Sequence, residues 1–312
     1  MINPANSKIF PYQEARAIKG WWMASRFLIL RRCVQVLLLA AFLTGPFLGV
    51  WITKGTLSSS MTFGVLPLTD GFLVLQLFAT RHWPEITALI GATIVLTGYI
   101  LLGGRSFCAW VCPVNPVTDL AAWLRRRIGI KYSLKLRPQT RFYLIGGILI
   151  TSALTGMLVW ELVNPVTALH RALVFGLGFG TLGVLAIFIF DFLIAKHGWC
   201  GHLCPVGAFY ALLGQVALLR VSAAQRAACD DCMSCFAVCP EPHVITPALR
   251  GEKTGTGPVI LAGDCTLCGA CIDSCPEHVF TFTHRFNQST DTSIDKRFAS
   301  TTDHHDLERS PR

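Results

Sequence analysis

Four stretches of roughly 20 residues, the length needed to cross a bilayer as a helix, carry no charged side chain: Cys33 to Thr53, Ile86 to Gly104, Phe142 to Trp160 and Ala172 to Phe190. The chain is 52% hydrophobic and 14% charged, against about 25% charged in an ordinary soluble domain. That balance argues against a water-soluble enzyme and against disorder over most of the length. A fifth apolar stretch, Thr62 to Thr80, contains Pro67, Asp70 and Gly71 and reads as re-entrant or surface, because such residues interrupt a spanning helix. The expected fold is an α-helical membrane protein with four transmembrane helices, built as a duplicated two-helix unit.

The charges set an orientation. Lys8, Arg16, Lys19, Arg26, Arg31 and Arg32 precede the first run. Arg105, Arg125, Arg126, Arg127, Lys131, Lys135, Arg137 and Arg141 lie between the second and third. The other two connections hold only Lys54 with Arg81, and Arg171. Positive residues gather on the cytoplasmic side, so both termini are expected there. A net charge of +9 therefore reads as membrane orientation, not as nucleic-acid binding. No cleavable signal peptide is expected, since a long polar segment precedes the first run and no small-residue cleavage pattern follows it. The organisation predicted is a cytoplasmic segment over 1–32, a membrane domain over 33–220, a Cys-rich cytoplasmic domain over 221–286 and a disordered tail over 287–312.

Within 221–286 the pattern Cys229-x2-Cys232-x2-Cys235-x3-Cys239-Pro240 recurs as Cys265-x2-Cys268-x2-Cys271-x3-Cys275-Pro276. This is the bacterial ferredoxin run, in which the fourth cysteine serves the other cluster. Three close thiolates wrap one face of a cubane, and the fourth is carried away on a short helix. The spacing thus predicts one 4Fe–4S cluster on Cys229, Cys232, Cys235 and Cys275, and a second on Cys265, Cys268, Cys271 and Cys239. Zinc would favour paired C-x2-C knuckles with a longer gap, and disulfides are unfavourable on the reducing side of a membrane. The Gly176-x-Gly178-x-Gly180 run follows no strand, so it fails the context of a dinucleotide site and reads as helix packing.

A second repeat sits just past the second and fourth runs: Cys108-Ala-Trp-Val-Cys112-Pro113 and Cys200-Gly-His-Leu-Cys204-Pro205. Each is followed by an expected interfacial helix, Pro116 to Arg127 and Gly207 to Arg220. A C-x3-C pair on a helix puts both sulfurs on one face. Together the pairs offer four thiolates to a metal or cluster, or two redox-active dithiols; packing by small buried residues is the plainer alternative. Cys33 stands alone and reads as packing.

At these residues the chain resembles the NapH family, ferredoxin-type membrane subunits of the periplasmic nitrate reductase electron-transfer system. The likeness rests on residues 108–120, residues 197–208, the two ferredoxin runs, and the Gly20-Trp21-Trp22, Gly45-Pro46 and Pro67-Leu68-Thr69-Asp70 segments. It implies a multi-pass protein of the bacterial inner membrane that oxidises quinol together with a NapG-like ferredoxin-type subunit. Electrons then go to a multihaem membrane cytochrome and on to periplasmic nitrate reductase. It also implies that Cys108, Cys112, Cys200 and Cys204 form one membrane-surface group.

Two other classes compete. Polyferredoxin assembly factors that reduce copper are typically longer, with a domain after the clusters. Membrane redox sensors usually carry a large domain before the first span, and the roughly 30 residues available here are too few for one. Asp191 is chemically apt for quinol proton release, although pairing with Lys196 or a loop arginine is the plainer expectation; Glu161 and His170 share that ambiguity. His304 and His305 in the tail have no assigned role.

Overall fold

Glycine positions decide where the apolar runs become helices in this computed structural model, which describes residues 12–287 apart from 131, 135 and 177. Helix α1 (Gln13–Met23) turns at Gly20, which has a positive φ. It leads into α2 (Arg26–Leu48), which stops at the left-handed Gly49. The first run is therefore helical earlier than predicted and ends before Thr53, because Gly49 terminates it. Trp51 then folds back onto Gly45, where a side chain would collide with the indole ring.

Next comes an antiparallel meander of β1 (Thr53–Gly55), β2 (Ser59–Thr62) and β3 (Leu66–Thr69). The Thr62 to Thr80 stretch forms β3 and α3 (Gly71–Ala79), as its breakers foretold, and no helix spans it. Asp70 caps α3 by accepting from the Phe72 amide at 3.2 Å and from the Tyr210 hydroxyl at 2.9 Å. β3 and α3 both pack on α4 (Ile86–Leu102).

The short α5 (Ser106–Trp110) and the amphipathic α6 (Val114–Ile128) follow. Helix α7 (Thr140–Thr155) ends at left-handed Gly156, short of the predicted Trp160. The chain turns back inward there, and the Trp160 amide donates to the Gln76 side chain at 3.2 Å. The short α8 (Val159–Val163) precedes α9 (Pro165–Phe175) and α10 (Phe179–Leu193). The fourth run is thus two helices, not one. Gly176, at φ +89°, breaks it, so the glycine run that read as mid-helix packing is a helix boundary.

Among the described residues one helix, α2, is long and apolar enough by length and composition to cross a membrane; α4, α7, α10 and the later helix Pro205–Val216 are apolar but shorter. The outward faces of α2, α4, α7 and α10 are strongly hydrophobic, with Leu37, Leu154 and Leu182 exposed.

After a π-helical turn (Trp199–Leu203) comes α11 (Pro205–Val216). It was expected to lie on the surface, but Val206, Ala208, Tyr210 and Ala211 are buried, and the helix packs between α4 and α7. Glycines permit this. A Cβ on Gly104 would strike the backbone of Gly214 and Tyr210, and one on Gly214 would strike the backbone of Gly263. These three glycines stack α4, α11 and the Cys-rich unit backbone to backbone. Gly104→Ala is expected to cost about 1–3 kcal/mol by overpacking, read as a fall in melting temperature; an unchanged transition would show that the stack is loose.

The Cys-rich unit has its own core of Val221, Ile245, Ile260, Ile272, Val279 and Phe280. It is closed by β4 (Leu219–Ser222) pairing antiparallel with β5 (Thr281–His284), and it contains α12 (Ser234–Val238), α13 (Ile245–Arg250) and α14 (Ala270–Ser274). The tail expected from 287 lies, past Asn287, outside the described residues, as do His304 and His305.

Candidate metal centres

The two ferredoxin runs fold alike. Asp231 and Leu267, each just before the second cysteine, have φ of 56° and 51°; Met233 and Gly269, each just after it, have φ of 61° and 71°. Alternating left- and right-handed residues curls a loop so that its side chains and amides converge on one point. Gly269 must also lack a side chain, because Phe27 of α2 occupies the space. α12 and α14 then carry the last cysteine of each run away from its own loop and pack on each other.

The result is crossed. Cys229, Cys232, Cys235 and Cys275 line one cavity, beside Phe236 and Phe280. Cys239, Cys265, Cys268 and Cys271 line another, beside Val244 and Ile260. No disulfide joins any of the thirteen cysteines. Burial, together with the neighbouring Cys275 and Cys232, pushes Cys235 up to about 12, and burial pushes Cys265 up to about 11. Four thiols in an apolar pocket ionise only when a cationic group takes their place as counter-charge. Amides already point at the sulfurs, from Leu267 to Cys265 and from Glu241 to Cys239. Donor set, shape and amide placement fit a 4Fe–4S group in each cavity.

The C-x3-C pairs also come together. Cys108, Cys112, Cys200 and Cys204 line a third cavity with Trp160, Trp199 and Val206. They do so without a shared regular helix, contrary to expectation. Cys108 lies in α5 and Cys112 follows its end; Cys200 lies in the π-helical turn and Cys204 caps α11, accepting from the Gly207 amide at 3.5 Å. A π-turn widens the helix and lets the second pair face the first. Burial raises all four thiols, and Cys204 reaches about 12. This cavity adjoins the second: Ala109 packs with Cys268, Val238 and Ala270, and the Trp110 indole donates to Leu267 O at 3.1 Å.

Several residues that position these cysteines gave no motif in the sequence. Gln35 of α2 donates to Ala109 O at 3.0 Å and Cys112 O at 3.4 Å. Arg105 donates to Cys200 O at 2.9 Å and pairs with Glu241 at 2.9 Å. Arg141 donates to Gly201 O at 3.0 Å, pairs with Glu241 at 3.5 Å and binds Asp264. Both guanidiniums and Glu241 are almost fully buried. Two arginines counted as cytoplasmic surface charge thus form an internal ionic knot joining the second and third cavities.

Asp191 is also buried and makes no ion pair among the described residues. Its Oδ1 accepts from the Trp199 amide at 2.9 Å, starting the turn that bears Cys200. The expected Lys196 partner instead donates to Ala237 O at 2.6 Å. Glu161 binds Ser58 and Asn164, and His170 is buried edge-on to Phe42. Cys33, expected to pack, is exposed on the outer face of α2.

If the C-x3-C cysteines act as one group, single alanine changes at each give the same defect and the quadruple change is no worse, since residues acting as a unit are strongly non-additive. Small additive losses, measured as electron-transfer rate, would return these cysteines to packing.

Comparison with known proteins agrees with this division. The 4Fe-4S binding domain family matches residues 85–131 and 177–222, the two C-x3-C segments, and the 4Fe-4S dicluster domain family matches residues 228–279. No solved structure matches the chain. The ferredoxin-type protein NapH of Haemophilus influenzae is 48% identical over 91% of this chain and 99% of its own length. That of Escherichia coli is 49% identical over 91% and 98%. The methylamine utilization ferredoxin-type protein MauN of Paracoccus denitrificans is 50% identical over 87% and 95%. At this identity and coverage the chain belongs to the NapH-type family of ferredoxin-type, iron–sulfur electron-transfer proteins.

Proposed function

We propose that this chain is a quinol-oxidising subunit of the inner membrane that passes electrons toward a periplasmic nitrate reductase. It works with a NapG-like ferredoxin-type subunit and a multihaem membrane cytochrome. The observation that carries the reading is the set of three four-cysteine cavities, two in the Cys-rich unit and one inside the helical unit, with Ala109 and Trp110 linking the third to the second. Such a set suits a relay.

In this reading Cys229, Cys232, Cys235 and Cys275 hold one cluster, and Cys239, Cys265, Cys268 and Cys271 the other. Cys108, Cys112, Cys200 and Cys204 hold a metal group or act as redox thiols. When bound, the clusters supply one-electron chemistry. The chain's own residues set its conditions: the apolar walls exclude water, and the Arg105–Arg141–Glu241 knot fixes the second and third cavities relative to each other. Four spans with both termini cytoplasmic remain the topology proposed; it is supported by the exposed apolar faces of α2, α4, α7 and α10. The units proposed are 1–32, 33–220, 221–286 and 287–312.

The comparable identity to MauN favours a second reading, in which the electrons serve methylamine utilization. Deletion separates them. The nitrate reading expects quinol-dependent periplasmic nitrate reduction to fall while viologen-driven nitrate reduction stays normal. Loss confined to growth on methylamine supports the second reading. Loss of viologen-linked activity as well would mean a maturation role, and lost oxidase copper would mean a metal-assembly role.

A further inference from the structure

A cavity of about 740 Å³ holds none of the three sulfur sets, yet one of its walls is Cys268. It lies where α1, α2 and α6 meet the Cys-rich unit. Its volume is that of a small-molecule site. Exposed Leu28, Leu120 and Trp123 line it, giving it an apolar side, while its inner wall is polar. Arg31 projects there from α2. It is 5% exposed, its guanidinium makes no side-chain hydrogen bond among the described residues, and its nearest carboxylate, Asp119, is 3.8 Å away. Asp119 itself is held by Arg32 at 2.5 Å. Tyr12, Gln13, Arg16, Arg126 and His197 complete the polar wall.

The geometry points to this cavity as the headgroup site of a membrane quinol, with Arg31 donating to one ring oxygen and Asp119 accepting from a hydroxyl. The inference rests on the quinol reading above and gives it a place. Three features select this ligand class. A buried cation with an unsatisfied donor needs an oxygen acceptor. An acceptor carboxylate a few ångströms off suits a molecule that is both donor and acceptor, as a hydroquinone is. The apolar side admits an isoprenoid tail. An anionic lipid headgroup would use the arginines, but it has no use for Asp119 or for the Cys268 wall. Oxidation there breaks two O–H bonds, forms a quinone and releases two electrons and two protons. A cluster held by Cys239, Cys265, Cys268 and Cys271 would supply the one-electron acceptor, and the protons leave past Asp119 to water at the mouth.

The test uses the full-length protein, purified anaerobically, and a short-chain naphthoquinone bearing a photoreactive group. Labelling is expected in residues 12–32 and 116–126. Arg31→Gln should weaken quinone binding about tenfold or more, the loss of one charge-assisted hydrogen bond, with iron content and EPR signals unchanged. Leu120→Trp, which fills the mouth without removing a buried charge, should weaken binding likewise. If the wild-type protein binds no quinone, the quinol reading fails and this site with it. If it binds but both variants bind equally and the label lies elsewhere, quinol oxidation stands and this site is overturned. Displacement of an anionic phospholipid, but not of quinone, by Arg31→Gln would make the cavity a lipid site and also overturn it.

Discussion

Glu241→Gln is expected to loosen the Cys-rich unit from the helices. It leaves the Arg105 and Arg141 guanidiniums, each 1% exposed, without their shared countercharge. Removing one partner of a buried ion pair costs about 3–5 kcal/mol, a large share of a domain's stability. The damage should also be local. Arg105 holds Asp264 O and Cys200 O, and Arg141 holds Gly201 O, so the Cys265 loop and the Cys200 turn move together. The expected result is protease cleavage near Arg220 and a changed spectrum from the second ferredoxin site, with the first site little affected. Replacing Arg105 and Glu241 together by Met should lose less than the single change, because an apolar pair leaves no orphaned charge between these two positions. A wild-type protease pattern in Glu241→Gln would show that the knot does not fasten the units.

Cys239→Ala should remove the site that is farther away in sequence. Cys239 ends the run that begins at Cys229, yet it lines the cavity of Cys265, Cys268 and Cys271. Iron is expected to fall from about eight atoms per chain to about four, as one of two 4Fe–4S groups is lost. The surviving EPR signal should be that of the Cys229 set, and Cys275→Ala should give the reverse. The decisive outcome is which signal disappears: loss of the Cys229 signal in Cys239→Ala would overturn the crossed assignment.

The ferredoxin cysteines were legible in sequence because their geometry is local. The x2-x2-x3 spacing itself demands the alternating left-handed positions seen at Asp231, Met233, Leu267 and Gly269. The grouping of the C-x3-C pairs was legible from the repeat, but the means was not. A π-helical turn at Trp199–Leu203 has no signature in residue spacing. Pro67 and Asp70 correctly announced a break, and Asp70 became a helix cap. Charges misled where they are buried. Arg105 and Arg141 read as orienting surface cations, but their partner Glu241 lies 136 and 100 residues away, and no window along the chain brings them together. α11 read as interfacial because its apolar residues show no deep stripe. Only the facing glycines 104, 214 and 263 reveal that backbones meet there.

The start of α2 has a consequence for biosynthesis. Its first turn has free amide donors, as every helix start does, and Ser25 supplies no side-chain cap. The Phe27 and Leu28 amides donate instead to Asp273 Oδ2 at 3.1 and 3.2 Å, a partner almost 250 residues later. During synthesis this helix thus stays uncapped until Asp273 emerges, almost 250 residues after its own first turn. Asp273 sits in α14 between Cys271 and Cys275, so the cap arrives with two cysteines that would hold iron, one in that short helix and one at its end. A nascent chain starved of iron would present an open helix end at the membrane surface, a mark that proofreading proteases in the cell can act on before a faulty electron carrier joins its partners.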